Sequence, residues 1–127
     1  GSPWTVACYM ICGRNDHKDF AAAKRWAFQQ PARLDAVLAV IADATAHYLC
    51  AQIDAGAQAV QLFDSWAGSL SGHRDAFDRC VIQPTRAIAA RVKRHAPHVP
   101  VIGFPRVGGP HLAAYAHGAG IDALGLD

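Results

Sequence analysis

The apolar run at residues 58–63, cut off abruptly at Asp64-Ser65-Trp66, constrains this chain more than any other feature. It reads as a short buried strand that delivers a carboxylate, a hydroxyl and an indole into a loop. Similar runs recur at residues 4–11, 99–104 and 121–126, and segments with helical periodicity separate them. The longest of these carries Leu34, Val37, Leu38, Ile41, Thr45, Tyr48, Leu49 and Ile53 at three- and four-residue steps. Apolar strands alternating with helices predict a parallel sheet covered by helices, the α/β class. Right-handed crossovers place the C-terminal ends of all strands on one rim, where ligands bind in such folds. That rim is expected to carry residues 9–13, 64–68 and 104–109, and Asp127.

Local signals set the element ends. Asp16 is expected to cap a helix running to about Gln30, with Pro31 opening the next one. Gly56 suits a left-handed residue closing the long helix. Pro97 stops the helix that carries Ala87, Ile88 and Val92. Gly118 and Gly120 end a short helix before the last strand. Four strands fit half a (β/α)8 barrel or part of an open doubly wound sheet, and periodicity does not choose between them. No Gly-x-Gly-x-x-Gly follows a strand, which weighs against a dinucleotide fold.

Composition narrows the function classes. With 127 residues the chain is one domain's worth at most, and 52% hydrophobic with 17% charged residues describes a globular sequence. A net charge of +2 with scattered basic residues gives a nucleic-acid partner little support. No apolar run is expected to reach membrane length and no secretory leader is seen, so the expectation is a cytoplasmic protein without a membrane partner. Cys8, Cys12, Cys50 and Cys80 lack metal-ligand spacing and read as free thiols, and the seven histidines show no ligand pattern.

Taken together, Pro3-Trp4-Thr5, Tyr9-Met10, Lys24-Arg25-Trp26, the run from Ala55-Gly56-Ala57-Gln58 through Phe63-Asp64-Ser65-Trp66-Ala67-Gly68, Val101-Ile102-Gly103-Phe104-Pro105-Arg106 and Asp122-Ala123-Leu124-Gly125-Leu126-Asp127 resemble the uroporphyrinogen decarboxylase family, in its bacterial form. The resemblance implies a (β/α)8 TIM barrel of which residues 1–127 are the central portion, with the N- and C-terminal parts of the barrel outside them. It implies a homodimer in haem biosynthesis that converts the four acetate side chains of uroporphyrinogen to methyls, yielding coproporphyrinogen, with no metal and no organic cofactor.

By the same resemblance, Tyr9 matches the active-site tyrosine and Ser65 a substrate-contacting serine or threonine. The catalytic aspartate and arginine-rich loop fall before residue 1 and a substrate-contacting histidine after residue 127, so the fragment alone is expected to be inactive. Two features depart from the family pattern: the loop at residues 14–19, and Val107 where glycine is commoner.

Without the resemblance, Tyr9 reads as a core tyrosine at the end of the first strand and Ser65 as a turn or helix cap. Asp64 reads as a cap or a partner for Lys or Arg, Trp66 as a packing wall, and Arg106 either as a cation for a polyanionic substrate or as a partner of Asp127 or Asp64. Two other functions remain in view: a cobamide-dependent zinc methyltransferase of the same superfamily, whose zinc ligands would lie beyond Asp127, and an inactive barrel fragment.

Overall fold

A computed structural model describes residues 1–13 and 19–127. Residues 14–18, with the expected Asp16 cap and most of the unusual loop, lie outside the described residues. The elements are α1 (Pro3–Cys12), α2 (Ala21–Gln29), α3 (Pro31–Asp54), β1 (Val60–Asp64), α4 (Arg74–Phe77), α5 (Gln83–His95), β2 (Val101–Pro105), α6 (Leu112–Gly118) and β3 (Ala123–Leu124). Short 3₁₀ turns at Ala67–Leu70 and Gly109–His111 follow the first two strands, and a π-helical stretch, Asp78–Ile82, joins α4 to α5.

The three strands form a parallel sheet in sequence order, with Val60 opposite Val101, Asp64 opposite Pro105 and Gly103 opposite Leu124. This is the expected α/β class with helical crossovers. The first expected strand is instead a helix. Residues 4–11 form α1, with Pro3 in its first turn and Gly13, at φ +61°, ending it. An apolar run of eight residues fits a buried strand or a buried helix equally well, and packing decides. Trp4, Ala7 and Cys8, spaced three and four apart, are fully buried, whereas Tyr9 and Met10 face outward.

Pro31 opens α3 and Gly56, at φ +112°, follows its end, both as the sequence suggests. At the start of α2, Asp19 Oδ1 accepts the Ala21 N–H at 3.0 Å. The π-helical stretch ends two residues before Pro84, which has no N–H to give a helical ladder.

Helix α3 is 24 residues long and is apolar enough to cross a membrane by length and composition, contrary to the expectation that no segment reaches that size. In the fold it presents Leu34, Leu38, Ile41, Ala42, Ala46 and Leu49 to the core. Its aspartates face outward to cations: Asp35 to Arg79 at 3.2 Å, and Asp43 to Arg91.

Helices α3 and α5 cover one face of the sheet, burying Ala46, Leu49, Leu62, Ile88, Val92 and Val101 together. A second core joins α1 and α2 to the π-helical stretch around Trp4, Phe77, Cys80 and Tyr115. Burial alternates along β1, so that Val60, Leu62 and Asp64 point inward while Gln61 and Phe63 face the open side. There Phe63 lies edge-on to Phe104 with ring centres 5.8 Å apart. Such alternation marks a strand with one face uncovered among the described residues, where a strand buried on both faces was expected.

Gly103 in the middle of β2 leaves no room for a side chain. A Cβ there would stand 2.6 Å from the Tyr115 hydroxyl, and Tyr115 is fully buried. We expect Gly103→Ala to destabilise the fold by about 1–3 kcal/mol, the usual cost of overpacking. Thermal unfolding followed by circular dichroism measures it, and an unchanged midpoint would show that Tyr115 can move aside.

Candidate active site

The loop after β1 is held from below by helix α1. The Thr5 hydroxyl donates to Asp64 Oδ1 at 2.6 Å and accepts the Trp66 N–H at 3.1 Å. From the preceding position on α1, the Trp4 indole N–H lies 3.1 Å from the Trp66 carbonyl and 3.2 Å from Ser69 Oγ. Ser69 Oγ itself donates to the Trp66 carbonyl at 2.7 Å. Adjacent residues of one helix thus satisfy both polar groups of the Trp66 backbone. Ser65, between Asp64 and Trp66, is thereby presented at the strand's C-terminal end.

The loop after β2 locks onto the same segment. The Arg106 N–H donates to the Asp64 carbonyl at 3.1 Å, and the Arg106 carbonyl accepts the Gly68 N–H at 3.0 Å. Gly68 has to be glycine for this approach, since a Cβ would lie 2.7 Å from Val107 Cβ. Val107 adopts φ +54°, a left-handed conformation costing a β-branched residue about 1–2 kcal/mol. The valine noted in the sequence therefore occupies a position that glycine would hold without strain.

Between the two loops and α2 opens a cleft of about 380 Å³, lined by Asp19, Phe20, Lys24, Ser65, Trp66, Gly68, Ser69, Arg106 and Val107. Its aromatic wall is Trp66 against Phe20, the rings tilted 55° with centres 4.7 Å apart. Tyr9 stands edge-on to both rings, at 6.2 Å from Trp66 and 6.0 Å from Phe20. Tyr9 is about half exposed; its carbonyl accepts the Gly13 N–H, and its hydroxyl makes no hydrogen bond among the described residues. Tyr9 thus stands beside Trp66, the neighbour of Ser65, though it arrives on the last turn of α1 and not on a strand. Trp66 is the wall expected of it.

Asp64 differs from its expected role. It neither caps a helix nor pairs with a cation; it is completely buried beneath the cleft, with Thr5 on Oδ1 and no partner for Oδ2. Burial pushes its carboxyl up from 3.8 to about 7, with the Thr5 hydrogen bond opposing. Burial also pushes the Cys80 thiol up to about 11 and raises Cys8 further, so both are held as neutral thiols. Cys8 and Cys80 are buried, and Cys12 and Cys50 partly so.

Arg106 pairs with neither Asp127 nor Asp64: Asp127 Oδ2 accepts the Val107 N–H at 2.9 Å instead. The residues that sequence reasoning missed are Thr5 and Lys24. A threonine inside an apolar run is the available signal for the first, whereas nothing along the chain marks Lys24 among the other basic residues of α2.

A parallel α/β sheet with a polar, aromatic-walled cleft at the carboxyl rim of its strands defines a ligand-binding or catalytic α/β protein. Within that class the chain belongs to the uroporphyrinogen decarboxylase family, whose model, "Uroporphyrinogen decarboxylase (URO-D)", matches residues 1–127. Proteins named uroporphyrinogen decarboxylase are similar to it over its whole length: 54% identical in Sphingopyxis alaskensis, 53% in Erythrobacter litoralis and 46% in Gluconobacter oxydans. The chain spans 36% of the first two relatives and 35% of the third. These relatives favour neither the zinc methyltransferase nor the inactive-fragment alternative.

The Asp64 carboxyl generates a pH dependence of defined sign. Its folded pKa of about 7 lies above the unfolded value of 3.8, so the folded state binds the proton more tightly. Its contribution to stability is full below 3.8, declines as pH rises, and is lost above about 7. We expect Asp64→Asn to remove this decline, gaining stability relative to the parent chain at pH 8 compared with pH 4. Urea unfolding of both proteins across that range checks it, and parallel pH profiles would mean that Asp64 does not titrate in the fold.

Proposed function

We propose that these residues supply the cleft-bearing part of a uroporphyrinogen decarboxylase, a (β/α)8 barrel that removes carbon dioxide from the acetate arms of uroporphyrinogen and leaves coproporphyrinogen. The observation that carries this reading is the convergence of Tyr9 and the Ser65-Trp66 loop at one rim of the parallel sheet, 6.2 Å apart at the Tyr9 and Trp66 rings. The open sheet face carrying Gln61 and Phe63 is consistent with a strand that looks into a barrel. Residues 1–127 are then the central portion of one barrel domain. The homodimer, the cytoplasmic setting and the absence of any metal or organic cofactor belong to the same proposal and rest on the family alone.

The chemistry follows from the substrate. Decarboxylating an acetate arm leaves an electron pair that a pyrrole, protonated on carbon, can accept. The protein must then stabilise positive charge on the ring, which a carboxylate facing the pyrrole N–H groups does electrostatically. In this reading that carboxylate comes from a segment outside residues 1–127. The Tyr9 hydroxyl, which no described residue engages, orients it, and Ser65 Oγ donates to a substrate carboxylate. Asp64 is not the catalyst, because it lies buried beneath the loop and does not line the cleft.

The test is a chimera in which residues 1–127 replace the matching segment of the Sphingopyxis alaskensis decarboxylase. We expect it to convert uroporphyrinogen to coproporphyrinogen, measured by chromatography of the oxidised porphyrins. A folded but inactive chimera would count against the reading. In that background Tyr9→Phe should lower kcat by roughly 10²–10³, the cost of one preorganised donor. Ser65→Ala should instead raise KM roughly tenfold, as loss of a hydrogen bond to a charged group does. Full activity of the Tyr9→Phe enzyme would remove Tyr9 from the mechanism, and an unchanged KM would remove Ser65 from the binding site.

A further inference from the structure

The cleft holds two cations that no described carboxylate neutralises. Lys24 on α2 and Arg106 after β2 both line it, and neither makes an ion pair among the described residues. Arg79, Arg86 and Arg91, away from the cleft, are engaged, to Asp35, the Gly118 carbonyl and Asp43. Asp19 is the single acidic residue of the lining, and its Oδ1 is occupied by the Ala21 N–H at the start of α2. The cleft lining therefore carries an excess of positive charge beside the Ser65 and Ser69 hydroxyls.

Arg106 is not a loosely placed surface arginine. Its N–H and its carbonyl are bonded to Asp64 and Gly68, on either side of Ser65 and Trp66. The backbone of the residue is thus fastened to the segment that presents Ser65, and the strained Val107 turn follows directly. Lys24 approaches from the other element, α2, whose packing through Ala23 and Ala27 into the core fixes the helix. A planar guanidinium suits bidentate capture of a carboxylate, and an ammonium adds a compact point charge. The Asp127 carboxylate accepts the Val107 N–H, and no carboxylate among the described residues pairs with the guanidinium.

We propose that Lys24 and Arg106 form a carboxylate-binding pair that grips one acidic side arm of the tetrapyrrole, with Ser65 between them as the neutral donor. This assignment rests on the substrate reading above and adds to it the residues that hold the anionic arm on this side of the cleft. The pair acts in binding and takes no part in proton transfer. Arg106 sets the direction of the carboxylate through its fork, and Lys24 contributes charge from the facing wall.

The test uses the chimera carrying residues 1–127 in the Sphingopyxis alaskensis decarboxylase and uroporphyrin I, the redox-stable ring with all its carboxylates in place, by isothermal titration calorimetry at several salt concentrations. Arg106→Ala and Lys24→Ala should each weaken binding roughly tenfold, the scale of one charge-assisted hydrogen bond. The double variant should lose roughly a hundredfold and show a flatter dependence of affinity on salt, because screened charge attraction has been removed. Arg106→Lys should bind between the parent chimera and Arg106→Ala, keeping charge without the fork. Thermal melting of each variant verifies folding; Arg106 is exposed and alanine suits a helix at position 24, so unchanged midpoints are expected. Equal affinity and salt dependence in parent and double variant would overturn the pair while leaving the decarboxylase reading standing. Failure of the parent chimera to bind uroporphyrin at all would overturn both.

Discussion

The Thr5 hydroxyl is the contact on which the rest of the rim depends. It gives its proton to Asp64 and its lone pair to the Trp66 N–H, so one small side chain fixes both the end of β1 and the start of the loop beyond it. Without it, a buried carboxyl would lose its donor and a backbone N–H would lose its acceptor in the same step, a cost well above that of an average hydrogen bond. Trp4, the preceding residue of α1, holds the Trp66 carbonyl and Ser69. Helix α1 therefore acts as a clamp whose two jaws are consecutive residues. Everything the cleft presents, from Ser65 to the Trp66 wall, stands on that clamp.

A fully buried aspartate is an expensive way to anchor a loop, and the raised pKa measures the expense. What it achieves is position. Asp64 points its side chain down to α1 while its carbonyl reaches sideways to Arg106. A hydrophobic residue there could fill the same space but could not select one rotation of the loop. The second fastening, Gly68 against Val107, follows the same logic: close backbone approach is obtained by omitting one side chain and straining another turn. Such local costs gathered around one cleft are characteristic of sites where geometry matters more than stability.

Much of this architecture could be read along the chain. Strands β1, β2 and β3, the caps at Pro31 and Gly56 and the helix stop before Pro97 all follow from periodicity and backbone chemistry. The failure at residues 4–11 is equally physical. Eight apolar residues carry no period that separates a strand from a helix, and only the burial of Trp4, Ala7 and Cys8 on one helical stripe settles it. The error left the neighbourhood of Tyr9 intact, because a helix end and a strand end can both deliver a ring to the same rim. Asp64 was misjudged for a different reason: its partner lies 59 residues away, beyond the reach of any local signal.

The sequence by itself determined the α/β class, the three paired strands and the rim to which Ser65 belongs, since these depend on spacing and on turn residues that act locally. Its motif also carried the family, through the run ending in Ser65-Trp66-Ala67-Gly68. Only the tertiary structure decided that the first apolar run is helical, that Thr5 is the keystone and that Asp64 is buried beneath the cleft. It alone brought Lys24 and Arg106 to the same cleft as Ser65. Those outcomes require elements distant in sequence to compete for the same hydrogen bonds and the same volume, and that competition is settled only when the chain packs.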